Sequence, residues 1–575
     1  MAVYSRRIKL VLAMLAVTVF VLLGRVAFLQ LHNNQQLASL ASQKQGKLLS
    51  GEDTPRGNIL DRKGESLTDS NVEPALIVFP SMLRNPEKAA QALARVLEVS
   101  PKAVSAMLAN KSYTYFSGIT AEQEQSAAAL ELYGVYPAAV KARYGADSLA
   151  RHVVGHINSI DPSAWALLQG KKQETGNAYD INDAIGVKGI EAEYEDYLHA
   201  SDPEFFLSSV MDARGNVIPG LSFKEVVAKA GGQKRNSVCL TLDRGLQEKV
   251  EEVMDRSSIE KGAVVVAEVA TGDILASASR PNYNQNLIAD SVIASDNAFN
   301  NSAFEFYNPG SVFKILITAA ALEEGLVTLN EGFFCNGSYT LNTGLTIDCW
   351  DTEGHGLESF VDGFANSCNP VFIQVALRLG REKILEYGKL FGLAEAQLIG
   401  YPAPSFKSLD IESSGEPSIA NAALGQKGIR LSPLQVAGMV SVIASGGYYQ
   451  PPRLVSEVKS YSGETLKAFP QGQRTRVISS KVASQVQELL TEAVKQGTGK
   501  NAWIEGFGAA GKTGSAETGR IGEDGKSVVN VWFAGYAPLK NPRFAIVVLK
   551  EEGGSGGGDA APVFKEIAEY ALNNL

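Results

Sequence analysis

Four cysteines in 575 residues are too few for a disulfide scaffold. There is no long basic block, and with a formal net charge of −9 this argues against nucleic acid as a partner. Long apolar runs are also scarce. Only Leu10 to Leu29, broken by Thr18, Gly24 and Arg25, is long enough to cross a bilayer. What remains is ordinary globular material, 45% hydrophobic and 20% charged, which excludes a disordered or fibrous chain and leaves room for two or three domains.

Arg6, Arg7 and Lys9 precede the apolar run. The expectation is therefore a cytoplasmic tail at residues 1–9, a retained anchor at 10–29 and the bulk of the chain outside the cytoplasm. A cleaved signal peptide is the rival reading, because Arg25 shortens the run and small residues follow at Ala38 and Ala41; no clear A-x-A site lies close behind. Residues 30–235 read as a mixed α/β spacer and docking domain. His32 to Lys47 is polar and helix-compatible, a candidate stalk. Arg56 to Gly64 alternates apolar and charged positions, which suggests a strand leading into a hairpin, and Gly186 to Glu191 opens a helix carrying Tyr194, Glu195 and Leu198. Asp61, Arg62, Glu191 and Glu195 read as salt-bridged structural residues.

Gly231 to Asn236 has linker composition, and over 236–575 the pattern tightens. Ala263 to Val269 and Ile274 to Ser279 flank a turn and predict a hairpin. Ala509 to Glu517, Val528 to Tyr536 and Phe544 to Lys550 predict three more strands, and Ala561 to Leu572 a final helix. Strands from both ends of this region can then pair into one antiparallel sheet with the helices of 300–495 packed on it, an α+β domain.

Inside that domain, Pro309-Gly310 reads as a turn and Val312 to Leu322 as a buried helix starting at Ser311. Lys314 follows Ser311 by three residues and shares its helix face. A buried lysine is a candidate base with a lowered pKa, beside a candidate serine nucleophile. Ser367-Cys368-Asn369 precedes Pro370 and an apolar helical run, which places Asn369 at a helix N-cap. Lys512-Thr513-Gly514-Ser515 lies in a strand whose glycines let another backbone come close, so that a substrate could lie beside it as an added strand. Singly each motif is weak; in the order S-x-x-K, S-x-N, K-T-G they are a strong signature.

On these motifs the chain resembles the class B penicillin-binding proteins, bacterial peptidoglycan D,D-transpeptidases. Arg56 to Gly64 and Gly186 to Glu195 resemble the family's N-terminal pedestal, while Leu424-Gly425-Gln426, Leu431 to Gln435 and Trp532 to Tyr536 resemble its transpeptidase domain. The resemblance implies a penicillin-binding transpeptidase fold, similar to serine β-lactamases, behind an anchor and pedestal. It implies Ser311 as the acylated nucleophile, Lys314 as its base, Ser367 as proton relay and Asn369 as positioning group. Lys512 and Thr513, with Gly514 and Ser515, would bind the substrate carboxylate and backbone, and the N–H groups of Ser311 and Ser515 would form an oxyanion hole, a feature worth about 3 kcal/mol per donor in other acyl-transfer enzymes. It further implies peptidoglycan stem peptides as substrate, β-lactams as covalent inhibitors, a SEDS-family glycan polymerase as membrane partner and no cofactor for catalysis. The other readings are a D,D-carboxypeptidase and a non-catalytic penicillin-binding sensor or scaffold. Residues 30–235 contain no glycosyltransferase-like segment.

Cys335, Cys349, His355 and Cys368 follow the order C-x13-C-x5-H-x12-C. Three thiolates and an imidazole make a closed structural zinc set; a Cys335–Cys349 disulfide, with Cys368 and His355 merely packed nearby, is the alternative. Cys239 is expected to be a buried strand residue.

Overall fold

The computed structural model describes residues 2–32, 46–50, 56–68, 72–109, 113–145, 147–160, 165, 168, 179, 183–200, 205–210, 224–227, 235–288, 297–403, 406–522 and 525–575. The stalk expected at 32–47 and the linker at 231–236 fall largely outside them. Helix Ala2–His32 carries the apolar stretch Ile8–Ala27, with mean hydropathy 2.5 and no part of that stretch buried against the protein. Among the described residues it is the one helix long and apolar enough to cross a membrane.

In the N-terminal region, strand Val72–Val78 lies between Thr114–Phe116 and Val135–Lys141, antiparallel to both. Helices Pro86–Val96, Pro101–Leu108 and Ala121–Ala128, capped by Asn85, Ser100 and Thr120, cover it. Their alanines and leucines bury against Leu76, Val78 and Phe116.

The stretch Arg56 to Gly64 departs from the expected hairpin. Only Ile59–Leu60 is strand, and its main pairing is parallel, to Val238 and Cys239 of the strand Ser237–Leu240. A single bridge from Leu60 to Ser66 is what remains of the hairpin. The reason is Arg56, whose guanidinium is needed in the interior: it lies 2.9 Å from Glu191 and 2.7 Å from Glu195, while Arg143 lies 2.7 Å from the other Glu191 oxygen. Tyr144 donates to the same oxygen at 3.0 Å, and Arg143 donates to the Gly57 carbonyl at 2.8 Å. Burial alone would push the Glu191 carboxyl up; the adjacent Arg143 and Arg56 outweigh it and hold it below the usual carboxylate range. Glu191 and Glu195 are thus structural ion-pair residues. The helix expected from Gly186 is shorter than its pattern suggests, because strand Ala184–Lys188 runs into Gly189–Glu193 and Tyr194 breaks the helix before Glu195–Leu198.

The C-terminal region is built on a five-stranded antiparallel sheet in the order Ile274–Arg280, Gly262–Glu268, Phe544–Gly553, Ser527–Ala537, Ala510–Ile521. Strands from both ends of the region meet at its centre, with Val265 opposite Val547. Because alternate residues face opposite sides, Val264, Val266, Ile546 and Val548 pack under helices Arg244–Arg256 and Ala561–Asn574. Val265, Val547 and Ala534 pack on the other side in the cluster that includes helices Lys314–Glu323, Pro433–Ala444 and Ser480–Lys495. Both faces being covered explains why these strands read as continuous apolar runs. The strand carrying Lys512 is an edge strand, open to pairing along one side.

Removing Glu191 as Glu191→Ala leaves two buried guanidiniums against one partly buried carboxylate. The expected loss is about 3–5 kcal/mol, read as a lowered urea midpoint of the detergent-solubilised chain.

Candidate active site

Ser311 does not open an α-helix. It sits in the 3-10 turn Gly310–Phe313, and the α-helix begins at Lys314. The tighter turn follows from how closely it packs on the edge strand. A side chain at Gly310 (φ 57°) would lie 2.5 Å from the Ser515 carbonyl, and one at Gly514 would lie 2.7 Å from the Pro309 carbonyl. Glycine at both positions lets backbone rest on backbone. Gly310 N–H donates to the Gly425 carbonyl at 3.0 Å, Tyr307 and Leu431 exchange backbone bonds at 3.0 and 2.8 Å, and Trp532 donates to the Asn308 carbonyl at 3.2 Å. The half-buried Ser311 is therefore placed by the very segments, 424–426, 431–435 and 532–536, that stood out in the sequence.

Lys314 has no exposed surface, and burial pushes its amine down to about 7. Its Nζ donates to the Ser367 carbonyl at 2.8 Å, to Asn369 Oδ1 at 2.9 Å and, more loosely, to Ser367 Oγ at 3.4 Å. Two acceptors come from one residue because of local chain geometry. Helix Phe360–Ala365 ends with bonds from Cys368 N–H to the Gly363 carbonyl and from Ser367 N–H to the Phe364 carbonyl, with Ser367 at φ 58°. This is the helix-ending motif that usually takes glycine. A serine held there turns both its carbonyl and its hydroxyl to the amine.

Asn369 is not the N-cap. Cys368 holds that position without a side-chain bond, and Asn369 is the first residue of helix Asn369–Leu390. Its side chain is used elsewhere: Oδ1 accepts from Lys314 and Nδ2 donates to the Asp348 carbonyl at 3.0 Å. Lys512 is equally buried. Its Nζ has no hydrogen-bond partner among the described residues, and burial, with Lys314 nearby, pushes its pKa well down. Thr513 lies beside it on the strand, and Ser515 is exposed at the edge.

Matching models cover both regions of the chain. The penicillin-binding protein transpeptidase domain matches residues 262–569, more than half of the chain, and the penicillin-binding protein dimerisation domain matches 52–226. The chain belongs to the class B penicillin-binding proteins. It is 30% identical to the stage V sporulation protein D of Bacillus subtilis across 99% of this chain and 86% of that one. It is 27% identical to penicillin-binding protein PbpB of Mycobacterium tuberculosis across 97% and 84%. The crystal structure of PBPA from M. tuberculosis superposes with a TM-score of 0.53 at 28% identity, over 60% of this chain and 82% of that one. A ceftriaxone acyl-enzyme complex of the same M. tuberculosis protein gives a TM-score of 0.53 over 59% and 81%.

In this penicillin-binding protein the four candidate metal ligands converge beside the active site. Cys335 ends strand Gly332–Cys335, Cys349 follows strand Thr346–Asp348, His355 precedes strand Gly356–Ser359 and Cys368 is the middle residue of S-x-N. Their ligand atoms all lie within 4.8 Å of one another. All four cysteines are free thiols, Cys239 among them, buried in its strand. A hydrogen bond from the Cys368 thiol pulls Cys349 down, and the same bond with burial pushes Cys368 up.

Two neighbours escaped sequence reasoning. The exposed Trp350 donates from its ring to the Asn366 carbonyl at 2.8 Å, propping the S-x-N loop. Thr498 Oγ1 lies 2.6 Å from Thr513 Oγ1. The only signal for Thr498 was a threonine between two glycines, Gly497 and Gly499, just past a helix.

Proposed function

We propose that this chain is a peptidoglycan D,D-transpeptidase working through an acyl-enzyme on Ser311. The observation that carries the reading is Lys314, an amine with no exposed surface, lowered to about 7, three residues after a half-buried serine and bonded to the S-x-N loop. At neutral pH a large fraction of such an amine has a free lone pair. Ser311 Oγ attacks the carbonyl between the two terminal D-alanines of a stem peptide while Lys314 takes its proton. The C–N bond breaks, and the leaving D-alanine amine receives a proton through Ser367, whose hydroxyl lies 3.4 Å from Lys314 Nζ. An amine of a neighbouring stem then attacks the ester, forms the crosslink and returns the serine.

Lys512 and Thr513 hold the terminal carboxylate; an anion there supplies the partner the buried Lys512 amine lacks among the described residues and favours its charged form. The N–H groups of Ser311 and Ser515 form the oxyanion hole, which the close packing of Gly310 and Gly514 on one another's segments supports. β-Lactams acylate the same serine, in keeping with the acyl-enzyme complexes of the related mycobacterial protein. No cofactor enters these steps. The apolar helix crosses the bacterial cell membrane once, with residues beyond 30 outside, and its unburied faces suit a polytopic SEDS-family glycan polymerase as partner.

We also propose a structural zinc ion on Cys335, Cys349, His355 and Cys368. The donor set fits: three sulfurs and a ring nitrogen converge within 4.8 Å, and His355 Nε2 is buried without a hydrogen-bond partner among the described residues. Its role is to pin the loop that carries Ser367 and Asn369.

Incubating the detergent-solubilised chain with a fluorescent penicillin should give a stable adduct that maps to the Ser311 peptide and is abolished in Ser311→Ala, and stem peptides should be crosslinked. Folded protein that takes no label would remove the acyl-enzyme reading. Elemental analysis of protein purified without chelator should find about one zinc per chain; a zinc-free, fully labelled protein contradicts the metal proposal.

A further inference from the structure

The Thr498–Thr513 pair poses a question of proton direction. Two hydroxyls 2.6 Å apart share one hydrogen bond, and one of them must donate. A carboxylate is an acceptor only, so for Thr513 to donate to a substrate carboxylate its single proton must point at the substrate. Its oxygen must then accept from Thr498.

The placement of Thr498 is over-determined by backbone contacts. Its N–H donates to the Ala365 carbonyl at 3.3 Å, two residues before Ser367. A side chain at the preceding Gly497 would lie 2.3 Å from that same Ala365 carbonyl, and one at Gly557 would lie 2.4 Å from the Thr498 carbonyl and 3.9 Å from the Thr513 methyl. Asn501 donates to the Gly557 carbonyl at 2.8 Å, closing the loop from the far side. Three segments, at 365, 498 and 557, thus meet backbone to backbone around one hydroxyl pair. The S-x-N loop, the K-T-G strand and the glycine-rich turn at 553–558 are tied together there.

We infer that Thr498 is a positioning residue for carboxylate recognition: it donates to Thr513 and so directs the Thr513 proton to the anionic end of the ligand. The inference rests on the acyl-enzyme reading. A hydrogen bond that polarises its neighbour strengthens the neighbour's own donation, so Thr498 acts on ligands that carry the carboxylate and not on those in which it is masked. Thr498→Val keeps the shape and removes the proton, while Thr498→Ser keeps the proton.

The test is the second-order rate of acylation of the full chain by benzylpenicillin and by its methyl ester, in which the carboxylate is blocked. Thr498→Val should slow benzylpenicillin by about tenfold, Thr498→Ser by less than about twofold, and neither should change the slower reaction of the ester by more than about twofold. Equal slowing of both compounds by Thr498→Val would make Thr498 a merely structural contact and overturn the inference. So would Thr498→Ser slowing as much as Thr498→Val, or an unchanged rate in Thr498→Val. Failure of the unsubstituted chain to be acylated at all would instead overturn the acyl-enzyme reading, and this inference with it.

Discussion

An amine buried out of reach of water has to lose its proton or find an acceptor for each of its N–H groups, and most of the architecture around Lys314 answers that requirement. Its acceptors are the Ser367 carbonyl, the Ser367 hydroxyl and Asn369 Oδ1, all from one loop. That loop can offer them because Ser367 adopts φ 58°, a conformation that costs a non-glycine residue about 1–3 kcal/mol. The Asn366 carbonyl is held by Trp350, and Cys368, between Ser367 and Asn369, belongs to the four-residue cysteine and histidine cluster. Burial pushes the amine down, the nearby Cys368, Cys349 and Glu358 pull it up, and the balance leaves it near 7.

The same logic applies at a larger scale. The sheet gives the site a rigid wall, but the Ser311 turn reaches that wall only because glycines at 310 and 514 remove the side chains that would stand between them. The N-terminal region is joined to this domain by backbone as well as by charge. Strand Ile59–Leu60 adds to strand Ser237–Leu240, and Lys63 just beyond it lies 2.7 Å from the Asp243 carboxylate. The R-G-x-I-x-D-R motif is a joint, which is why its hydrophobic alternation resembled a free hairpin.

Strands with long apolar runs were legible in the sequence to within a few residues, since burial on both faces leaves a strong pattern. The final helix and the central hairpin were legible for the same reason. The three motifs were legible as residue types and order, and the structure brings them together. Local geometry was not. Whether Ser311 lies in a 3-10 or an α turn depends on the contact between Gly310 and Ser515, which are 205 positions apart in the numbering. Asn369 next to Pro370 looked like a helix cap because capping is the usual use of such a residue; here its amide is taken by Lys314 and the Asp348 carbonyl. Thr498, in the turn after helix Ser480–Lys495, left little signal because its hydroxyl partner, Thr513, lies on the edge strand.

The central claim is that Lys314 is the base that activates Ser311, and the pH dependence of acylation tests it most directly. Below its pKa the amine is an ammonium ion and cannot accept the serine proton, so the second-order rate of penicillin acylation should fall about tenfold per pH unit at low pH. It should rise through a midpoint near 7 and level off above it. A rate that stays flat from pH 5.5 to 9, about one and a half to two units either side of that midpoint, or that keeps climbing toward lysine's ordinary value of 10.5, would contradict the account.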